Sequence, residues 1–352
     1  MKRHHLLAIV FLVAACACRA QQNATGPEDP FDLAQKLIDA HQFEKASDLL
    51  ENLLRRDPAN EAAHLKLAEV RLAQGLNEDA MKSFEAVLTV RPDSVPARVG
   101  EVKAAESAAL ADRNVGVDGS ALLCLIRARK FVPDSSQLLL DFGVQAERMK
   151  IYADAEAALT RALELAPDDA KVIYALAHVQ FDEQKFADAE RNLHTYLQAR
   201  PDDATAHFGL GRLLHTVLRD DEAKIELERS IALQPRQSGS YYELGEIARE
   251  TNQLDEAKKN YDSVLAVAPH HGGALTGLGI LAFRAKDDGA AERYLSGAVT
   301  YAPDFVAAHH YYSLLLARLG RDSESRREAE LATTLSAQAA KASHGNELTV
   351  IE

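Results

Sequence analysis

Small and large apolar residues recur along this chain on a long, fixed period. Ala46, Ala80, Ala121, Ala155, Ala189, Ala223, Ala257 and Ala291 each precede, by four residues, a bulky side chain: Leu50, Phe84, Leu125, Leu159, Leu193, Leu227, Tyr261 or Leu295. Four residues is about one helical turn, so each small and large pair shares one face of a helix. Twelve residues after every alanine stands a proline. These are Pro58, Pro92, Pro133, Pro167, Pro201, Pro235, Pro269 and Pro303, separated by 34, 41, 34, 34, 34, 34 and 34 residues. Proline cannot continue a helix and restricts the residue before it, so each one closes that helix and turns the chain.

An earlier helix in each period carries the complementary signature, a bulky residue followed by a small one: Phe142-Gly143, Leu176-Ala177, Leu210-Gly211, Leu244-Gly245 and Leu278-Gly279. The small residue lets a partner helix approach closely. Two residues past the proline stand Asn60, Ser94, Ser135, Asp169 and Asp203, acceptors suited to cap the next helix. The pattern predicts tandem helical hairpins and no sheet.

The spacing L-G…A-x₃-F…P on a 34-residue period resembles the tetratricopeptide repeat family. The resemblance implies an all-α fold, an α-α superhelix of about nine helix-turn-helix repeats spanning 27–340. The frame falls near 27–60, 61–94, 95–135, 136–169, 170–203, 204–237, 238–271, 272–305 and 306–340, followed by a tail over 341–352. The family's early tryptophan slot is filled here by Leu139, Ile173, Tyr241, Leu275 and by His64, His207 and His309, because the chain has no Trp. The third repeat carries seven extra residues, and Asp112-Arg113-Asn114-Val115-Gly116-Val117-Asp118-Gly119 reads as the loop that holds them. In the ninth, Ser325 replaces the small alanine and no proline follows, as in an end cap.

The first twenty residues read as an export signal: a basic Met1-Lys2-Arg3-His4-His5, then an apolar run from Leu6 to Ala17 too short to span a bilayer as a helix. Two cleavage readings compete. Cys18-Arg19-Ala20 suits a signal peptidase cut before Gln21, whereas Val13-Ala14-Ala15-Cys16 resembles a lipobox that would leave Cys16 acylated. Residues 21–29 read as a leader. Either cut implies an exported protein, periplasmic, anchored at the outer membrane or secreted.

Composition narrows the function. In 352 residues the formal net charge is −13, and a cut after Ala20 removes Lys2, Arg3 and Arg19 to make it −16. Such a charge opposes nucleic-acid binding. Cys124 is the sole cysteine of the body. It sits among Leu122, Leu123 and Leu125 and reads as a buried thiol. No nucleophile with its base and no HExxH motif occurs, so catalytic residues, metal and cofactor are all expected to be none. Gly277-Leu278-Gly279 repeats Gly209-Leu210-Gly211 two periods earlier, so these glycines pack helices instead of cradling a phosphate. His270-His271 and His309-His310 read as structural, and Asp168-Asp169 and Asp202-Asp203 as capping residues.

The family resemblance further implies that first helices line a concave groove through their second, fifth, ninth, twelfth and thirteenth residues. Carried over, it selects Tyr174, His178, Phe181, Phe208, Arg212, His215, Tyr242, Arg249, Phe283, Arg284, His310 and Arg318 as a ligand groove. With Lys171, Asp182, Glu246 and Glu250, which stand at the same set of positions, five fixed cations face three acids, which suits an acidic or carboxylate-ended protein or peptide partner. Against this stands a plainer reading, in which the aromatics fill space between neighbouring helices and the arginines solvate. The expected function is a non-enzymatic scaffold for protein binding outside the cytoplasm, touching a membrane only through a lipid anchor at Cys16. Two alternatives accompany it: a lipid-anchored assembly factor for outer-membrane, pilus or cell-wall machinery, and a glycan-binding or glycan-processing accessory protein. Oligomeric state is not legible.

Overall fold

A computed structural model describes residues 29–344; the signal segment, both cleavage readings at Cys16 and Ala20, the leader before Asp29 and residues 345–352 lie outside them. Eighteen α-helices and no strand occur among the described residues. The chain divides after Pro133 into two compact units. The first holds α1 (Pro30–Asp39), α2 (Phe43–Arg56), α3 (Glu61–Ala73), α4 (Asn77–Val90), α5 (Val95–Asn114) and α6 (Asp118–Phe131). The second holds α7 (Ser136–Arg148), α8 (Tyr152–Leu165), α9 (Ala170–Asp182), α10 (Phe186–Ala199), α11 (Ala204–Thr216) and α12 (Asp220–Leu233). It continues with α13 (Ser238–Glu250), α14 (Leu254–Val267), α15 (Gly272–Arg284), α16 (Asp288–Tyr301), α17 (Val306–Arg318) and α18 (Asp322–His344).

Consecutive helices pair into nine hairpins, three in the first unit and six in the second. The eight ladder alanines are all fully buried, and Leu50, Leu125, Leu159, Leu227, Tyr261 and Leu295 are too. Their knobs rest on the small residue of the preceding helix. A methyl group added at Gly211 would lie 2.7 Å from Leu227 Cγ, and one at Gly245 2.6 Å from the Tyr261 ring. The glycines therefore pay for close approach with lost side-chain contact, and the opposing large residue refills the space.

Capping follows the sequence at four of the five expected sites. Asn60 accepts from Ala63 N–H at 3.0 Å, Ser135 from Leu138 at 3.2 Å, Asp169 from Lys171 at 2.9 Å, and Asp203 from Thr205 and Ala206. Ser94 departs from the pattern, because its hydroxyl donates instead to Glu61 at 3.0 Å. His271 supplies a cap the pattern did not mark, its Nδ1 accepting from Ala274 at 3.1 Å.

Every hairpin turn contains one residue of positive φ: His41, Gly75, Gly116, Lys150, Gln184, Leu218, Asn252, Lys286 and Gly320. Each ends the first helix in a left-handed cap. At Gln184, for example, its N–H donates to Phe181 O at 2.9 Å while Lys185 N–H reaches back to Gln180 O at 2.8 Å.

Two expectations are corrected. The seven extra residues of the third repeat lengthen its first helix instead of forming a loop: α5 runs unbroken to Asn114, and the turn is only Val115 to Val117. Ala104, Ala105, Ala108 and Ala109 are buried along it, so the added turns stay helical because they pack. The last helix, α18, also extends to His344, into the expected tail.

Candidate functional site

The first helices of the fifth and sixth repeats, α9 and α11, place their fifth and ninth residues side by side in the second unit. Between them lies a cleft of about 110 Å³, walled by Tyr174, His178, Phe181, Phe208 and Arg212 and floored by Leu193 of α10. Its aromatic rings are held from behind. Tyr174 packs on Tyr196 with ring centroids 4.9 Å apart, and the Tyr196 hydroxyl donates to Asp203 at 2.7 Å, tying that ring to the cap of α11. Burial and this bond push the Tyr196 phenol up to about 12. Phe208 lies against Gly239 of the next repeat, where a methyl group would come within 2.8 Å of the ring.

Arg212 sits over the Phe181 ring, its guanidinium carbon 4.4 Å from the centroid. Its Nε is buried without a hydrogen-bond partner, and no carboxylate lies within ion-pairing distance of it among the described residues. A guanidinium on an aromatic face, shielded from water on one side, is an anchor for an incoming carboxylate. His178 is turned toward Tyr174, with Nε2 3.2 Å from the hydroxyl, and its Nδ1 lies 3.7 Å from Glu147. Desolvation, and then the positive Arg212, lower its pKa below the ordinary imidazole value.

The remaining expected groove residues lie elsewhere and are mostly engaged. Arg249 donates to Glu246 at 2.6 Å and to Glu250 at 3.1 Å, and Tyr261 donates to the other oxygen of Glu246. His215 pairs with Asp220 at 2.8 Å. Tyr242 packs against Gly273 and His271, filling space between repeats. Arg318 covers the Phe283 ring at 3.4 Å and donates to Phe283 O and Asp288. His310 meets Tyr311 edge-on, and Arg284 is exposed.

The balance of charge also differs from the expected excess of cations. Arg249 pairs with Glu246 and Glu250, acids already in that count, and Arg318 with Asp288, while two further acids join the neighbourhood. Burial and Asp182 raise Glu147 to about 7, and burial raises Glu243 as well. Glu147 occupies the twelfth position of the fourth repeat, a groove position of a repeat left out of the count; Glu243 stands at a sixth position that the groove pattern does not include. The positive charge that remains available at the cleft is Arg212.

Among the described residues no group of three or more His, Cys, Asp or Glu could hold a metal ion, and no helix is long and apolar enough to cross a membrane. Cys124 is buried, which pushes its thiol up. Asp169 and Asp203 cap helices, and Asp202 pairs with Arg229 at 2.9 Å.

Comparison with curated proteins finds no match. The chain is similar in fold to the Cut9–Hcn1 hetero-tetramer of the APC/C, with a TM-score of 0.57 and 14% identity over 88% of this chain; it spans 59% of that longer chain. A tetratricopeptide repeat protein from Parabacteroides merdae aligns with 67% of this chain and 93% of its own, at TM-score 0.56 and 13% identity. PilF of Pseudomonas aeruginosa aligns with 63% and 99%, at 0.53 and 18%. These likenesses concern the fold. Family profiles described as tetratricopeptide repeat match residues 37–105, 174–240 and 242–300, more than half of the sequence. Repeat length, hairpin packing and profile agree: this chain belongs to the tetratricopeptide repeat family, a family of protein-binding scaffolds.

Proposed function

We propose that the second unit binds a protein segment bearing an acidic side chain or free C-terminal carboxylate, held in the cleft between α9 and α11, and that it does so without catalysis. The observation that carries the reading is Arg212. Its guanidinium lies on Phe181 with no carboxylate partner among the described residues, in a chain where Arg219, Arg249, Arg318 and Arg321 all have one. Tyr174 and Phe208 offer apolar surface beside that charge, fit for the residue next to the carboxylate.

Fluorescence anisotropy with peptide pools tests this. Acidic and C-terminally free peptides are expected to bind, and Arg212→Ala to weaken them by about tenfold or more. Arg229→Ala, on the exposed side of α12, should leave binding unchanged. Equal binding of acidic and amidated neutral peptides, or an unaffected Arg212→Ala variant, would sink the assignment.

The same reading places the protein outside the cytoplasm. It rests on the basic start and apolar run of residues 1–20. Mass spectrometry of the mature N-terminus tests it: Gln21 as first residue marks cleavage after Ala20, a diacylated Cys16 marks a lipid anchor, and an intact Met1 overturns export.

A further inference from the structure

A histidine motif recurs in three repeats, and in one of them it is incomplete. His64, His207 and His309 stand at the same fourth position of their repeats. In each, Nε2 donates to the carbonyl of the ladder proline six residues earlier, to Pro58 at 2.9 Å, Pro201 at 3.0 Å and Pro303 at 2.9 Å. That bond fixes the ring and turns Nδ1 toward the second helix. At His207 and His309, Nδ1 meets a glutamate nineteen residues later, Glu226 and Glu328, both at 2.6 Å.

Nineteen residues after His64 stands Ser83, too short to reach. The His64 Nδ1 is buried and has no hydrogen-bond partner. In the space where a glutamate would lie there is a cavity of about 440 Å³, lined by His64, Ser83, Arg55, Arg71, Lys82 and Glu51, with Leu54 and Leu67 behind. Three fixed cations thus face one acid, and that acid is already bonded: Arg71 donates to Glu51 at 3.0 Å and to the Ser83 hydroxyl at 2.7 Å. Lys82 leans on Asp79 at the rim, at 2.7 Å, and Arg55 bonds only the neutral Asn52.

An orphaned buried nitrogen is costly, and the two complete copies show what satisfies this geometry. We propose that the cavity between α2, α3 and α4 is a carboxylate-binding site, in which an external carboxylate takes the place that Glu226 and Glu328 fill in their own repeats. Arg55 and Arg71 hold its oxygens from the open side, and His64, protonated at both ring nitrogens in the bound state, donates to it from Nδ1 within. The site belongs to the first unit and does not depend on the cleft at Arg212.

Imidazole ¹⁵N spectra of the full chain, with His64 assigned from a His64→Gln variant, test the proposal. Sodium acetate, succinate and a blocked glutamate (N-acetyl-glutamate amide) are titrated against sodium chloride at matched ionic strength. The expected result is a saturable shift of the His64 signals that chloride does not produce. A response to acetate and succinate alone identifies a small free anion as the ligand, and a response to the blocked glutamate as well identifies an acidic side chain. Ser83→Glu, which supplies the carboxylate from within, is expected to abolish the response and raise the melting temperature. Arg55→Gln, an exposed change that spares the fold, should weaken the response by about tenfold. His64 signals unmoved by all three carboxylates, or an Arg55→Gln or Ser83→Glu variant that responds like the parent, overturn it.

Discussion

Arg127 donates to Glu85 at 2.6 Å, and that pairing leaves Glu101, buried beside them, with neither carboxylate oxygen bonded. Glu101 occupies the position of α5 at which Leu67, Phe142, Leu176, Leu210, Leu244 and Leu278 stand in other repeats, so a carboxyl group has replaced a core side chain. Burial, and then the negative Glu85, push its pKa up to about 8.

A carboxyl group that is harder to ionise folded than unfolded makes stability pH-dependent in a definite direction. Below the ordinary carboxylate range Glu101 is neutral in both states and nothing is lost. Between about pH 4.5 and 8 the unfolded chain ionises it while the fold resists, so stability falls as pH rises, and it levels off above that. The loss reached at pH 7 is on the order of 3 kcal/mol. Urea unfolding of the parent and of Glu101→Gln from pH 5 to 8 checks this. Glu147 slopes the same way, so the diagnostic quantity is the difference, and the variant's profile is expected to be flatter. Parallel profiles would exclude the effect.

Leu218 holds φ at 62°, and its side chain is 80% exposed, so it gains no packing for the strain. Gly75, Gly116 and Gly320 fill the same turn position in other hairpins. Leu218→Gly is therefore expected to stabilise the second unit by roughly 0.5–1 kcal/mol, the relief of left-handed strain less glycine's greater freedom in the unfolded chain. A higher urea midpoint at unchanged slope is the signature; a lower midpoint would show that the leucine is not strained.

Gly211 and Leu227 test the small and large pairing. Gly211→Ala places a methyl group 2.7 Å from Leu227 Cγ and 3.2 Å from the Ala223 carbonyl, inside a fully buried contact. The expected cost is about 1–3 kcal/mol. Leu227→Ala added to it should cost less than the two changes separately, because the methyl group then enters the space the leucine leaves. Additive losses in thermal unfolding would place the strain elsewhere.

The hairpins were legible because eight of the nine repeats meet the same volume constraint: one small residue at the crossing, one large residue opposite, one proline to stop. Left-handed caps escaped the pattern because six of nine are not glycine, and Leu218 or Lys150 carries no local mark of its backbone. The lengthened α5 was misread because Asp112, Arg113, Asn114 and Gly116 resemble a loop, while the buried alanines before them carry the helix through. Of the twelve expected groove residues, the five that meet in one cleft come from two adjacent first helices, where fifth, ninth and twelfth positions share the face turned to the neighbouring repeat. Charge was the least legible property. Whether Arg249 is free or Arg212 is depends on a glutamate one turn away on the same helix, and Glu246 stands three residues before Arg249.

His309 and Glu328 offer the sharpest energetic test of the recurring histidine motif. Both side chains are nearly enclosed, 6% and 11% exposed, and their contact is 2.6 Å. Leu139 and Leu275 stand at the corresponding position elsewhere, so His309→Leu is sterically reasonable but strands a buried carboxylate. Glu328→Ala strands Nδ1 of the imidazole in turn. Each single change is expected to cost about 3 kcal/mol, since removing one partner of a buried pair leaves the other uncompensated. The double variant should cost much less than the sum of the two, because no stranded polar group remains. The same cycle applied to His64 and Ser83, where no such contact exists, should give a coupling near zero. Equal couplings at the two histidines would mean that the 2.6 Å contact contributes nothing, and that position four tolerates histidine for its shape alone.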